Sequence, residues 1–594
     1  KHDIQIRTTL RNPKGVIVGS VQSGMPEHTH QTCTEVRLPA LTLENPQLWS
    51  CESPQLYNAE VVVTADGMVV DSLTEQFGIR SLEFSPEFGF KLNGKKIFLQ
   101  GNANHHDLGA LGATCYDKAI ERMMLQLKSF GYNCIRCSHN PYSDSFARIA
   151  DRVGILVVDE LTDKWSDNDY WGGRQPFTHI WHKLITEWIK RDRNRPSIIL
   201  WSLGNELQIR EGWAGFEGTN DWGITTYNIF NQLVKRWDHT RLTTVAMFPA
   251  RAGAITRHDK EFNDYLVPPE LACATEVASF NYQSDKYDAY LKYRPDLILF
   301  QSEAETSNLL QPYYNMDKER MVGIAYWGSV EYWGESNKWP KKGWNYSFFE
   351  HTMRPYPQAY LIKTAFMPEI PEVHIGVVDA AGAESVSWND VIVGRMALNE
   401  CWNHTPGSRR SLFTFTNAHS VELLVNGQSM GIQKNDTTRA NLRNMIYWKD
   451  VPYGNGGSVV AIARDKSGKE VARHRIETAG KAVALRIEAE TPTDWKADGM
   501  DLQYINVTVI DKKGRPVWDY NEPLTLQMEG AARLVALDNG DHYTDELFHG
   551  ITSKRMYQGR MQIILRSDQE AGNVTVKISS AGLKGTLRLK TIKE

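Results

Sequence analysis

No stretch of this 594-residue chain approaches the roughly 20 consecutive apolar residues of a membrane-spanning helix, so a bilayer is not an expected partner. A charge excess of either sign is missing too. Lys and Arg number 67 against 71 Asp and Glu, a formal net charge of -4, which argues against nucleic acid or an anionic membrane as a partner. Cysteine is scarce. The seven residues are odd in number and lack framework spacing, which argues against a disulfide scaffold. Cys134-Ile135-Arg136-Cys137 has C-x-x-C spacing, but it lies in a strand-like run and no second pair completes a zinc site.

What the chain does have is length, strand patterning and tryptophan. Its length suits roughly three to five domains. Of the 18 Trp, 12 lie between Trp165 and Trp344, where indoles serve a large core or a cleft that stacks sugar rings; a core accounts for most of them. Residues 1–88 read as strands and turns, with Val61-Val62-Val63 and Met68-Val69-Val70 flanking the Ala65-Asp66-Gly67 turn, and predict a small immunoglobulin-like β-sandwich. Residues 89–368 alternate strand-like runs with amphipathic stretches. Eight such repeats predict a (β/α)8 barrel. Residues 369–480 and 481–594 return to short strands and hairpins and predict two further β-sandwiches. The fold class is therefore multidomain, a central TIM barrel flanked by immunoglobulin-like sandwiches. The sequence opens at Lys1 inside a strand pattern, so an upstream segment is expected, and the lack of a signal peptide carries no weight on secretion.

The chemistry concentrates at two strand ends. Ile198-Ile199-Leu200 is a buried-strand run that ends in Ser202-Leu203-Gly204-Asn205-Glu206. In a (β/α)8 barrel the C-terminal strand ends carry the catalytic groups. Glu206 there is a ready general acid, and Asn205 can orient a sugar hydroxyl. Leu297-Ile298-Leu299-Phe300-Gln301-Ser302-Glu303 repeats the design at the seventh strand, 97 residues on. Glu303 is favoured as the second carboxylate because it lies at the strand terminus; Glu305 is its rival. Two such carboxyls within roughly 5 Å form the pair of a retaining glycosidase. His105, His106 and His139 raise the alternative of a metal-dependent hydrolase, but adjacent His105-His106 on a strand face opposite sides and chelate poorly.

Four barrel motifs carry a resemblance: Leu99-Gln100-Gly101-Asn102-Ala103-Asn104-His105-His106-Asp107, Arg136-Cys137-Ser138-His139-Asn140-Pro141, Val158-Asp159-Glu160, and Trp201-Ser202-Leu203-Gly204-Asn205-Glu206. With them the chain resembles glycoside hydrolase family 2, in its β-galactosidase branch, over essentially its whole length. The resemblance implies Glu206 as acid/base and Glu303 as nucleophile. It implies that His105 and His139 contact the sugar or support the carboxylates, that Tyr282 hydrogen-bonds the nucleophile, and that Trp327 forms the floor under the sugar. Asp163 joins Asn205 as an expected substrate contact. The family's N-terminal jelly-roll domain is absent from this sequence, which matches the expected upstream segment.

The resulting expectation is a retaining, exo-acting β-galactosidase acting on terminal β-D-galactosyl residues of oligosaccharides. No cofactor or catalytic metal is expected, with room for a peripheral Mg2+ or Ca2+ on oxygen ligands. The alternatives are a β-glucuronidase or β-mannosidase of the same family, or an inactive carbohydrate-binding homologue. Asn337-Lys338-Trp339 lacks the Asn-x-Lys spacing of the glucuronidase branch, which ranks glucuronide below galactoside. The loops around Trp333, Trp339 and Trp344 are expected to bind further sugar units. A periplasmic or secreted bacterial location and a homo-oligomer complete the expectations.

Overall fold

The computed structural model describes residues 2–25, 36–166, 176–207, 221–248, 267–336, 338–379, 384–388 and 391–593. Asn337, singled out from the sequence, lies outside the described residues. The strands Leu99–Asn104, Cys134–Cys137, Leu156–Glu160, Ile198–Asn205, Leu242–Met247, Val277–Asn281, Leu299–Ala304 and Gly323–Trp327 form a closed barrel in cyclic sequence order. They are barrel strands 1 to 8. Strands 2 to 6 pair in parallel, and every residue of strand 4 is buried. Burial on both faces explains why strand 4 reads as an apolar run without alternation.

The chain divides into two compact units. The first comprises Lys1–Leu99, Asn133–Gln301 and Asp317–Gly323. It opens with a four-stranded antiparallel sheet in the spatial order Ile17–Gly24, Ile4–Arg11, Tyr57–Ala65, Met68–Phe77. This N-terminal part is tied to the base of barrel strand 4. Arg80 donates to the carbonyls of Pro196 (2.8 Å) and Ile198 (3.0 Å), Arg195 pairs with Glu75 at 2.6 Å, and the fully buried Trp49 donates to Asp151 O at 2.8 Å. The helix Asp144–Val153 shows how local sequence sets its own limits. Ser143 caps its N-terminus by accepting from Phe146 N, and Gly154 ends it in a left-handed conformation. A Cβ on Gly154 would lie 2.4 Å from Cys51 O, so no other residue fits there without moving the backbone.

The second unit comprises Gln100–Tyr132, Ser302–Met316 and Ile324–Glu594. Its helix Asp117–Ser129 buries Ile120, Met123, Met124 and Leu127 at helical spacing. Two pairs of four-stranded antiparallel sheets follow. One pair is built from strands between Val373 and Glu477 around a core containing Trp402 and Trp448. The other spans Ala482 to Lys590 around Trp495, Ile505, Leu537 and Ile563. The architecture is a TIM barrel with β-sandwich domains. No described helix is long and apolar enough to cross a membrane.

Candidate active site

In the first unit, the ends of barrel strands 2, 3, 4 and 6 converge on one hydrogen-bonded cluster. At its centre is Glu160, fully buried at the end of strand 3. Arg136 from strand 2 grips it with Nη2 2.7 Å and Nε 3.1 Å from Oε2. His139 Nδ1 lies 2.7 Å from Oε1, and Ser202 donates to Oε2 at 2.6 Å. Burial alone would raise the Glu160 carboxyl, but Arg136 and His139 outweigh it and hold the group below its ordinary range.

Arg136 also donates to Asn205 Oδ1 at 2.9 Å, and so does Asn281 Nδ2, at 2.9 Å. The Asn205 amide donates to Asp163 Oδ1 (3.1 Å) and faces His139 Nε2 (3.3 Å). The Asn205 carbonyl thus takes two protein donors and its amide one carboxylate, and the residue is 3% exposed. The side chain expected to hold a sugar hydroxyl is, in this structure, the hub of the cluster. A hydroxyl would have to displace one of these partners.

Glu206 follows directly and is 7% exposed. Its Oε1 accepts from Asn281 Nδ2 at 3.3 Å, and its own N–H donates to Ala246 O at 2.7 Å. Its φ is +50°, and Tyr282, just past strand 6, has φ +58°. Two non-glycine residues in the left-handed region at strand ends mark backbone held under strain, a property that clusters at active sites. Gly204 has its own reason. A Cβ there would meet Trp165 Nε1 at 2.8 Å, the atom that donates to Leu203 O at 2.7 Å. Asp163 is bonded by Lys164 Nζ at 2.6 Å; burial would raise its carboxyl, but His139 and Lys164 hold it down. Tyr282 packs edge-on against Phe248 with ring centroids 5.4 Å apart.

The second unit holds the other predicted residues. Glu303 is in barrel strand 7 and 3% exposed; Glu305 lies beyond the strand and accepts from Asn308. His105 follows strand 1 and meets Trp327, the last residue of strand 8, edge-on at 5.0 Å. It meets Tyr332 at 4.9 Å. Trp327 is 3% exposed. Tyr332 stacks at 8° on Trp344.

The loop after strand 8 is held by the C-terminal sandwich. Gly343 N donates to His542 Nε2 at 3.0 Å, Asn345 Nδ2 to Tyr543 Oη at 3.2 Å, and Lys342 to Thr544 O. The three tryptophans of the loops expected to bind sugar differ sharply. Trp344 is 2% exposed, filling core between Tyr332 and Tyr346, whereas Trp339 is 76% exposed. Trp333 packs against His351 and Phe548. The Trp344 indole is taken up by packing against Tyr332 and Tyr346.

Sequence reading missed Arg136, Glu160 and Asn281 as site residues, although Arg136 and Glu160 lie in the quoted motifs and Asn281 directly precedes Tyr282. The signal available was a charged or amide side chain at the end of an apolar strand. Cys134 and Cys137 are fully buried, and burial pushes both thiols up, against a redox role.

Two clusters have the composition of metal sites: Glu331, His351 and His542, and His374, Glu400 and His474. Their hydrogen bonds speak for protons instead. Both nitrogens of His351 face carboxylates at 3.0 Å, the pattern of an imidazolium. His542 Nε2 accepts from Gly343 N and His474 Nδ1 accepts from Ile375 N at 3.0 Å, so in each ring it is the other nitrogen that faces the cluster.

A closed parallel barrel with acidic residues at its C-terminal strand ends, flanked by sandwiches, is the architecture of a glycoside hydrolase. Residues 1–80 match the glycosyl hydrolases family 2 description, residues 87–318 its TIM barrel domain, and residues 485–587 the family 2 C-terminal domain 5. Residues 407–472 match a domain of unknown function. The chain belongs to glycoside hydrolase family 2. It is 27% identical to a β-galactosidase of Bacteroides ovatus, over 92% of this chain and 67% of that protein. It is 39% identical to a Formosa agariphila protein provisionally named a β-glucuronidase, over 99% of this chain and 58% of that protein. A family 2 crystal structure from Bacteroides cellulosilyticus superposes with a TM-score of 0.84 at 28% identity, covering 99% of this chain and 74% of that one.

Proposed function

We propose that the chain is a retaining, exo-acting β-galactosidase that removes terminal β-D-galactosyl residues from oligosaccharides. Glu206 is the acid/base and Glu303 the nucleophile. Glu206 protonates the leaving oxygen while Glu303 attacks the anomeric carbon and forms a glycosyl ester. Glu206, now a base, takes a proton from the water that hydrolyses that ester. The mechanism needs the two carboxyls about 5–5.5 Å apart. The observation that carries this reading is the setting of Glu206: a buried carboxyl at a strand end, on a strained backbone, bonded by Asn281. Glu303 is preferred to Glu305 because it lies within the strand. No metal is required.

A neutral sugar is favoured by charge. Among the described residues, the cations bonded into the Glu206 cluster, Arg136 and Lys164, already carry a carboxylate partner, Glu160 and Asp163. A uronate would compete with those carboxylates. The second reading, a β-glucuronidase, draws on the 39% likeness to the Formosa agariphila protein. A panel of nitrophenyl glycosides tested with wild type, Glu206→Ala and Glu303→Ala decides. The expected result is cleavage of β-galactoside by wild type and its loss in both variants. Azide should then yield a β-azide with Glu206→Ala and an α-azide with Glu303→Ala. Preferred cleavage of β-glucuronide would select the second reading, and retention of activity in both variants would overturn both.

A further inference from the structure

A third carboxylate lies in the second unit beside the residues expected to receive the sugar. Glu335 follows barrel strand 8 in the Tyr332-Trp333-Gly334-Glu335 turn and has φ +51°. One oxygen, Oε2, accepts the Tyr332 hydroxyl. The other, Oε1, is 3.7 Å from His105 Nε2. His105 in turn meets Trp327, the expected floor, at 5.0 Å. Tyr332 feels Glu303 as well. Burial, then Glu335, then Glu303 push its hydroxyl well above the ordinary tyrosine range, so it stays a neutral donor. Glu303, Tyr332, Glu335, His105 and Trp327 therefore gather around the ends of barrel strands 7, 8 and 1, which are neighbours in the barrel.

Within this group the burial differs. Glu303 and Trp327 are each 3% exposed, whereas the side chains of Glu335 and His105 are 31% and 33% exposed.

We propose that Glu335 is a substrate-contacting carboxylate that selects neutral sugars. It accepts hydrogen bonds from sugar hydroxyls, and its negative charge repels the carboxylate of a uronide. The inference rests on the proposed glycosidase reading of this mouth, and it assigns to Glu335 a choice between galactoside and glucuronide that Glu206 and Glu303 cannot make. Tyr332 and His105 are positioning residues here: the phenol fixes one oxygen and the imidazole faces the other.

The test compares wild type with Glu335→Gln and Glu335→Asp. kcat and KM are measured on nitrophenyl β-galactoside and β-glucuronide. Binding of D-galactonolactone and D-glucarolactone is followed by tryptophan fluorescence, a readout independent of turnover. Losing one charged hydrogen bond to a hydroxyl is worth about 10- to 100-fold. Glu335→Gln should therefore lower kcat/KM on galactoside by about that factor, weaken galactonolactone, and raise the glucuronide-to-galactoside ratio at least about tenfold. Glu335→Asp should retain the discrimination because the charge remains. The proposal is overturned if Glu335→Gln, folded as judged by an unchanged melting temperature, keeps both ratios. It is overturned equally if wild type prefers the glucuronide. Loss of activity in Glu206→Ala and Glu303→Ala with no effect of Glu335→Gln would sink this inference alone. Retained activity in those two would sink the underlying reading.

Discussion

His351 lies between two carboxylates, with Nδ1 3.0 Å from Glu331 and Nε2 3.0 Å from Asp538. Glu331 belongs to the loop after barrel strand 8 and Asp538 to the C-terminal sandwich, so one imidazolium joins the two. All three side chains are buried. Glu331 also accepts the Tyr356 hydroxyl at 2.6 Å, and it directly precedes Tyr332, which contacts His105. The C-terminal sandwich thereby fixes the turn that carries Glu335.

The first prediction concerns stability against pH. Burial opposes charge on His351, but Asp538 and Glu331 outweigh it and raise its pKa well above 6.5. A group raised in the folded state contributes fully below its unfolded pKa, and its contribution fades as pH rises through the folded one. Glu331 is also opposed by burial, but His542 and His351 lower it, so its contribution is full above 4.5 and fades on acidification. Both are complete between pH 4.5 and 6.5. Breaking a buried ion pair typically costs about 3–5 kcal/mol. Denaturant unfolding of His351→Gln should show a loss of that order inside this window and a smaller one on the alkaline side. An equal loss at every pH would contradict the assignment of charge.

A second prediction follows from the packing under Asn205. Gly204→Ala puts a methyl 2.8 Å from Trp165 Nε1 and disturbs its bond to Leu203 O. Strand 4 would have to shift just before Asn205 and Glu206. Displacing a catalytic group by about 1 Å can cost 100-fold in rate. The variant should fold, bind substrate with little change in KM, and lose about 10- to 100-fold in kcat. A wild-type kcat would mean that Trp165 yields instead.

Barrel strands were legible because each apolar run breaks into polar residues where the strand ends, as at Ser202-Leu203-Gly204-Asn205-Glu206. Helix limits are coded locally where a cap is present, as at Ser143 and Gly154. The hub around Asn205 was not. It joins Arg136, Glu160 and Asn281, which are far apart in sequence and meet only because the barrel closes. Nor could composition separate Trp344 from Trp339, since burial depends on whether Tyr332 lies alongside. Nothing local to His542 signals that it bonds Gly343.

A third prediction tests the protons assigned to the histidine clusters. If His351 is an imidazolium and His542 and His474 carry their protons toward the carboxylates, a cation would have to displace those protons to bind. Prolonged dialysis against a chelator should leave kcat and melting temperature unchanged. Loss of activity that is restored by Mg2+ or Ca2+ would show a metal requirement and refute the protonation pattern as the ground for excluding one.

The last prediction concerns Arg136 and the acid limb of the rate profile. Arg136 is the residue that Glu160 shares with Asn205, bonding the first at 2.7 Å and the second at 2.9 Å. Burial pushes the Glu160 carboxyl up; Arg136 first, then His139, bring it below its ordinary range. A depressed carboxyl keeps its charge, and the order it imposes on His139 and Ser202, until pH falls through the folded pKa. Arg136→Gln removes the larger of the two opposing charges, so the Glu160 pKa rises. Glu160 then takes its proton at a higher pH, and the acid limb of kcat/KM should move upward. Arg136→Lys keeps the charge but not the two-pronged grip, so it should restore part of the limb without restoring kcat, because a single ammonium cannot hold Glu160 and orient Asn205 together. If Arg136→Gln lowers kcat while the limb stays in place, Glu160 is held ionised by His139 and Ser202 alone, and Arg136 acts only by positioning Asn205 beside Glu206.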